Sequence, residues 1–220
     1  MKKRTIKIGS YDTAEFGWTL GDWKLTAAEQ KTNYVDKPGG DGSWDLSTAN
    51  TNGIPKYKTR TLTVPLELSI GTRQERENII NDMVNGLDGY QVQIVLPDRP
   101  DHYLFGRVKI AVDYSDLAHA KVTLTGTVEP WFYSIRETAI EATATPEHQT
   151  MLIRNNGRRV AVPLVAVTEG EVTLRANSST AHIGPGTHKL PGLLLRPGTT
   201  ELEYYGAGSF VMTYREAVLR

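Results

Sequence analysis

The sequence predicts a mainly β protein that has two domains and one helix. Three observations indicate this class: apolar and polar residues alternate from Arg60 to Ile70, apolar residues recur at helical spacing after Gly71, and turn signals follow one another closely beyond Pro146. Alternation with a period of two is typical of a strand with one buried face. Closely spaced turns between short alternating runs are typical of an antiparallel sandwich. We therefore expect an α+β domain followed by an all-β domain.

The first domain is predicted to cover residues 1–135, and its first long strand runs from Arg60 to Ile70. Pro65 falls on the polar side of this strand. Because proline cannot donate to a ladder, this position should lie at a sheet edge or on a side without a hydrogen-bonded neighbour. Further strands are expected over Tyr90–Leu96, Tyr103–Val112 and Ala120–Val128, so the domain should contain an antiparallel sheet.

One amphipathic helix is predicted over about residues 73–86. Thr72 and Glu75 have the spacing of a capping box, which marks the start of a helix. The apolar residues that follow recur at helical spacing; they are Ile79, Ile80, Met83 and Leu87. A helix laid across the sheet is the simplest way to bury both apolar faces.

The second domain is predicted over residues 148–220, after a linker over 136–147. The linker segment is rich in threonine and alanine, poor in large apolar residues and closed by Pro146. Beyond it, Asn156-Gly157 and Glu169-Gly170 are typical of tight turns between alternating runs. More glycine and proline turns follow up to residue 208, so we expect a small antiparallel β-sandwich.

A long polar segment lies over residues 34–57, which we call the arm. Connections of this length inside a domain are usually functional or disordered. The arm contains Trp44 within a glycine-rich stretch. A loop tryptophan either folds back under its own loop or is offered to a neighbouring molecule, and interfaces are enriched in this residue. The sequence leaves both interpretations open.

Length and composition limit the classes of function. The chain has 220 residues with 25 basic and 25 acidic side chains, and it has no cysteine. A balanced charge argues against affinity that comes mainly from neutralising phosphates. Without cysteine there is no disulfide, thiolate metal site or thiol nucleophile. The chain start lacks a signal-peptide core and no run approaches the ~18 apolar residues of a membrane span, so we expect cytoplasmic synthesis and no membrane partner.

No catalytic, cofactor or metal site is predicted. The five histidines lack paired metal spacing. Asp36, Asp41 and Asp45 depart from the spacing of a calcium loop, so turn hydrogen bonds explain them better. The glycines at 39–42 lack the ending of a phosphate-binding loop. Asp98 and Asp101 lie in a polar turn where nothing would separate their pKa values, as glycosidase chemistry requires. The protein is therefore not expected to be an enzyme.

Several short segments, taken in order, resemble the distal tail protein family of long-tailed bacteriophages. The most informative one contains Pro38, Gly39, Gly40, Asp41, Gly42, Asp45 and Leu46. The other segments are Ile6–Thr13, Gly17–Leu20, Tyr57–Arg60, Leu104–Val108 and Val128–Tyr133. The resemblance covers residues 6–133 and is weaker beyond residue 146.

The resemblance implies a structural protein of the virion, located at the tail tip and made in the host cytoplasm. Six copies of the first domain would close into a ring between the tail tube protein and a tail-tip or tail-associated protein, with DNA passing through the centre. The second domain would be a galectin-like sandwich on which receptor-binding proteins dock. For such a ring we add the hypothesis that the arm reaches the adjacent subunit, and on physical grounds alone Trp44, Pro65 and Trp131 are candidate interface residues.

A binding role for the second domain and a related structural role remain open as alternatives. The second domain could bind a host-surface saccharide, although residues 146–220 contain no tryptophan and offer only Tyr204, Tyr205 and Tyr214 as polar aromatics. The chain could also be a tail-tube or baseplate hub subunit, since such rings are built from a sheet and one helix. The two-domain layout favours the distal tail protein.

Overall fold

The structure, a computed structural model, describes residues 5–51, 53–115 and 119–220. The chain forms two compact units, Met1–Pro130 and Trp131–Arg220. Strands account for 52% of the residues and helix for 8%, which confirms the predicted mainly β class. Residues 1–4 and 116–118 of the predicted first domain, and Asn52 of the arm, lie outside the described residues.

The first unit contains one antiparallel sheet and a separate hairpin. Its strands are β1 (Lys7–Ile8), β2 (Tyr11–Asp12), β3 (Thr19–Leu20), β4 (Lys24–Leu25), β5 (Tyr34–Asp36), β6 (Ser43–Asp45), β7 (Arg60–Leu68), β8 (Gln91–Val95), β9 (His102–Asp113) and β10 (Ala120–Val128). The strand order in the sheet is β2-β1-β8-β9-β10-β7-β3, and β4 also pairs with β7. Strands β5 and β6 pair only with each other among the described strands.

The alternation of residue types along the long strands gives the sheet one buried face. In β7 the apolar residues Leu62, Val64, Leu66 and Leu68 are buried, while the threonines between them are more exposed. Strand β10 repeats the pattern, with Val122, Leu124 and Val128 buried. These residues form the core of the first unit together with the apolar face of the helix.

Helix α1 (Arg73–Leu87) begins with the predicted capping box. The backbone N–H of Thr72 donates to the Glu75 carboxylate at 2.7 Å, and the Glu75 N–H donates to the Thr72 hydroxyl. These two bonds satisfy donors that the first turn of a helix leaves unpaired. The buried face of α1 contains Ile80, Met83 and Leu87. No helix in the described ranges has the length and apolar character that crossing a bilayer requires.

The second unit is entirely β. Its strands are β11 (Phe132–Ser134), β12 (Thr138–Ala144), β13 (Gln149–Asn155), β14 (Leu164–Ala176), β15 (Ser179–Ile183), β16 (Gly186–Lys189), β17 (Gly198–Tyr214) and β18 (Ala217–Val218). The main strand order is β12-β17-β14-β15, while β13 also pairs with β17, β16 with β14, and β11 with β18.

Two long strands, β14 and β17, run through the whole second unit. The first half of β17 pairs with β13 and its second half with β12, while β14 pairs first with β16 and then with β15. The register between β14 and β17 shifts between Val167 and Glu169. Next to this irregularity the two backbones lie close together: Gly170 has φ +73°, and a Cβ there would lie 1.7 Å from the Ala207 carbonyl oxygen. The sheet covers one apolar core, in which Val165, Leu174 and Phe210 are buried.

The segment predicted as a linker, residues 136–147, differs in the structure. Residues 138–144 form β12, which pairs with β17 in the register Thr138↔Tyr214 to Ala144↔Gly208. Ala144 is buried, and Ile140 and Ala142 pack against the core of the second unit. Small side chains are enough for this strand because its partner β17 supplies the larger ones, Phe210 and Met212.

Candidate interaction surfaces of the first unit

The arm forms an exposed β-hairpin. Strands β5 and β6 pair in the register Tyr34↔Asp45, Val35↔Trp44 and Asp36↔Ser43, and all six residues are exposed. A short ladder holds the base of the hairpin: the Lys31 N–H donates to the Lys56 carbonyl, and the Lys58 N–H to that of Glu29, both at 2.8 Å. The arm therefore leaves the first unit as a defined element, not as an irregular loop.

Glycines and aspartates shape the tip of the arm. Gly39 and Gly42 have positive φ values of +67° and +78°, which side chains with a Cβ rarely adopt. The Asp36 carboxylate accepts a bond from the Ser43 hydroxyl at 2.8 Å. The Asp45 carboxylate accepts from the Ser47 N–H at 2.9 Å, and its hydrogen bonds to Ser47 lower the pKa of Asp45. The Asp36 side chain thus joins the two strands beside the turn, and the Asp45 side chain holds the chain that follows β6. No group of metal-binding side chains occurs among the described residues.

The hairpin exposes four apolar side chains. The exposed fraction is 61% for Tyr34, 43% for Val35, 50% for Trp44 and 42% for Leu46. Val35 and Trp44 face each other across the two strands, so their side chains form a patch on one face, whereas Tyr34, adjacent to Val35, lies on the other face. A lone exposed apolar residue is ordinary, but a contiguous apolar patch indicates an interaction site. A two-stranded hairpin on its own is also only marginally stable, so a partner surface would stabilise the arm.

Trp18, in the same unit, is buried, unlike Trp44. It is 1% exposed, and its indole Nε1–H donates to the Tyr11 hydroxyl at 2.7 Å. The ring of Tyr11 stacks on Phe16 at 4.4 Å between centroids. Trp18 is thus a core residue whose polar group is satisfied, whereas Trp44 offers its side chain to solvent.

The sheet of the first unit has an open polar face opposite its core. Thr125 of β10 pairs with Thr63 of β7 on one side and with Lys109 of β9 on the other. Thr127 pairs in the same way with Thr61 and Arg107. Charges of both signs occur on this face; Lys121 of β10 pairs with Asp113 of β9. A shallow groove of about 670 Å³ follows it, lined in part by Phe105, Arg107 and Thr127.

Pro65 and Trp131 lie in settings that differ from the expected one. Strand β7 has no open edge at Pro65, because β3 and β4 both pair with that side of β7 and the Gly21 N–H donates to the Pro65 carbonyl at 2.9 Å. Neither short strand pairs with Pro65 itself, so no ladder bond is lost because proline has no N–H. Trp131 is half-buried and belongs to the second unit. Of the three predicted interface residues, Trp44 is the most exposed.

Sequence reasoning identified Trp44 but missed its neighbours Tyr34 and Val35. The signal that could have found them is the alternation of residue types on either side of a glycine-rich turn, which is typical of a hairpin. That signal is weak here because both faces of the hairpin are exposed, so no buried face imposes a period-2 pattern.

No protein-family model and no curated protein matches the chain. Among solved structures, the chain is similar to the SPP1 Dit (gp 19.1) protein, described as a paradigm of hub adsorption apparatus in Gram-positive infecting phages. The TM-score is 0.68 at 17% sequence identity, and the match covers 97% of this chain and 99% of that one. This likeness shows a shared fold.

Two further structures match at TM-scores too low to support an argument. One is a de novo designed double-stranded β-helix, with a TM-score of 0.26, 10% identity and coverage of 37% of this chain and 99% of that one. The other is a putative glyoxylate-induced protein from Pseudomonas aeruginosa, with a TM-score of 0.24, 11% identity and coverage of 93% and 89%.

Proposed function

We propose that this protein is a non-enzymatic structural component of a bacteriophage tail, acting as a distal tail hub. The observation that carries the proposal is the fold shared with the SPP1 Dit protein over nearly the full length of both chains, which includes both units. The segments of residues 6–133 that resemble the distal tail family support it independently, because they are features of the sequence and not of the fold.

The hub would be a ring of six copies. A cyclic ring needs heterologous contacts, in which one surface of each subunit meets a different surface of the next. The arm suits such a contact because it extends from the first unit and exposes Tyr34, Val35 and Trp44. Deleting residues 39–46 should therefore leave a folded chain that no longer assembles, and a ring formed by the deletion variant would contradict this role.

The open face of the first sheet is the surface we assign to the wall of the ring's channel. Its threonines, among them Thr63, Thr125 and Thr127, are short and uncharged, and basic side chains such as Lys121 lie beside acidic ones such as Asp113. A wall rich in lysine and arginine would bind DNA phosphates. A wall of threonines with balanced charge would let DNA pass without holding it.

The partners of such a hub follow from its place in the tail. The ring would contact the tail tube protein on one side and a tail-tip or tail-associated protein on the other, and receptor-binding proteins would dock on the second unit. No cofactor enters this function. The protein would be made in the host cytoplasm and end in the virion, at the tail tip.

Light scattering coupled to size exclusion tests the proposal, followed by negative-stain imaging of the main peak. The proposal predicts a species of six times the subunit mass of 24.4 kDa, with an open centre in the images. A chain that stays monomeric at every concentration would contradict a self-assembling ring.

A further inference from the structure

Four polar and aromatic side chains form a row across the outer face of the second unit. Thr173 of β14 pairs with Tyr205 of β17 on one side and with His182 of β15 on the other. On the next strand, Gln149 pairs with Tyr204, which places His148 beside Tyr205. The row therefore joins residues from distant parts of the chain on one surface.

Contacts within and beside the row hold these side chains in place. The rings of His148 and Tyr205 stack, with centroids 4.1 Å apart and planes 17° from parallel. The Nδ1 atom of His148 also contacts the Glu203 carboxylate, whose other oxygen lies 3.6 Å from the Arg175 guanidinium. The Tyr205 ring is thus supported from one side by an imidazole that an acidic residue orients.

On the other side of Tyr205, the face is hollowed into a cleft of about 420 Å³. Tyr205, Thr173, His182 and Glu171 contribute to its lining. The rest of the lining includes residues with small side chains or none, namely Gly184, Gly206 and Ala207. Its volume falls in the range of about 300–1,000 Å³ that is typical of small-ligand sites.

Two polar groups in the cleft are available to a ligand. His182 uses its Nδ1 atom in a 2.8 Å hydrogen bond with the Thr173 hydroxyl, which orients the ring and leaves Nε2 for a further bond. Glu171 is exposed, and its carboxylate has no hydrogen bond or ion pair with the described residues. A carboxylate accepts hydrogen bonds from several hydroxyl groups at once.

We propose that this cleft binds a neutral pyranose unit of a cell-surface saccharide. The apolar C–H face of the sugar ring would pack on Tyr205, whose aromatic body and polar tip suit an amphipathic ligand. Sugar hydroxyls would donate to the Glu171 carboxylate and bond to Nε2 of His182. The acidic Glu171 disfavours anionic sugars, so the neutral class is the one the geometry supports. The site would add host recognition to a structural protein, and it does not depend on ring assembly.

Saturation-transfer NMR with the full chain tests the site, using the methyl glycosides of glucose, galactose and N-acetylglucosamine as probes. At least one probe should give saturable transfer. Tyr205→Ala should raise the Kd about tenfold, which corresponds to about 1.4 kcal/mol. Tyr205→Phe keeps the ring and should retain binding. Glu171→Gln should weaken binding, while Glu201→Gln, an exposed substitution on β17 outside the cleft, should not.

A charged probe distinguishes binding in this cleft from nonspecific contact between the protein and sugars. Methyl glucuronide should bind more weakly than methyl glucoside, and Glu171→Gln should narrow the difference, because the acidic repulsion is removed. Thermal melts of each variant report whether it folds. If Tyr205→Ala does not fold, the test of the site is the comparison of sugar binding by Glu171→Gln and by Glu201→Gln. Absence of saturable transfer from every neutral probe, or equal loss in Glu171→Gln and Glu201→Gln, would overturn the proposal.

Discussion

Replacing Trp44 with alanine is expected to weaken assembly of the chain while leaving each subunit folded. The side chain is 50% exposed and belongs to a hairpin that pairs with no other strand among the described residues. Its loss therefore removes little packing within the subunit. If the arm contacts an adjacent copy, the same change removes a large apolar anchor from every subunit interface.

The exposed part of Trp44 sets the size of the effect. A tryptophan presents about 150–250 Å² of surface for burial. With half of it exposed in the single chain, about 100 Å² remains to be buried by a neighbour, which at ~25 cal/mol per Å² amounts to about 2.5 kcal/mol. That energy corresponds to a roughly 70-fold weaker contact between subunits.

Sedimentation or light scattering over a dilution series measures the change, and a thermal melt of each variant reports folding. Tyr114→Ala is a matched control, because Tyr114 is 70% exposed in the same unit but outside the arm. Trp44→Ala should dissociate at a much higher concentration than the control. Identical dissociation curves for the two variants would refute the role of the arm.

Three predictions concern the first unit alone. Gly86→Ala should stabilise the fold by about 0.5–1 kcal/mol in chemical denaturation, because alanine is the better helix former and its Cβ would meet nothing within 4 Å; a loss of stability would contradict the packing of α1. Thr13→Val should destabilise it by about 1–3 kcal/mol, since the buried Thr13 hydroxyl bonds both the N–H and the carbonyl of Ile6; a neutral result would contradict these bonds. Burial raises the pKa of Tyr11 from 10.0 to about 12, against the opposing hydrogen bond from Trp18, so the stability from its neutral form is present below pH 10 and lost as the pH rises towards 12. Between pH 10 and 12, the urea midpoint of Tyr11→Phe should depend less on pH than that of the unchanged protein. Equal pH dependence of the two midpoints would contradict a contribution of Tyr11 ionisation to stability.

Short sequence patterns predict those strands and helices that are determined by residues close together in the chain. The alternation from Leu62 to Leu68 predicts β7 because one face of that strand is buried. The Thr72 and Glu75 pair predicts the start of α1 because a capping box needs only one turn of chain. Both elements would be recognisable whatever the rest of the fold.

Other features depend on partners distant in the sequence and escape such reasoning. In the sequence, strand β12 looks like a linker because its alanines and threonines show no apolar stripe of their own. They become part of the core only when the strand pairs with β17. The covered side of β7 at Pro65 comes from β3 and β4, which have two residues each and no periodicity to detect. The sequence cannot distinguish buried Trp18 from exposed Trp44, since their difference arises from packing.

The candidate saccharide cleft illustrates the same limit. A search of residues 146–220 for a tryptophan platform finds none. The aromatic surface instead comes from Tyr205 stacked on His148, which are 57 positions apart and meet only through the pairing of β13 with β17. Only the strand register brings them together.

A cryo-electron microscopy reconstruction of the purified full chain tests the central claim most directly. The account predicts a closed ring of six copies, with Trp44 of each arm buried against the adjacent subunit and the threonines of β7 and β10 facing the central channel. An open filament, a ring in which Trp44 remains in solvent, or a channel lined by another surface would contradict it.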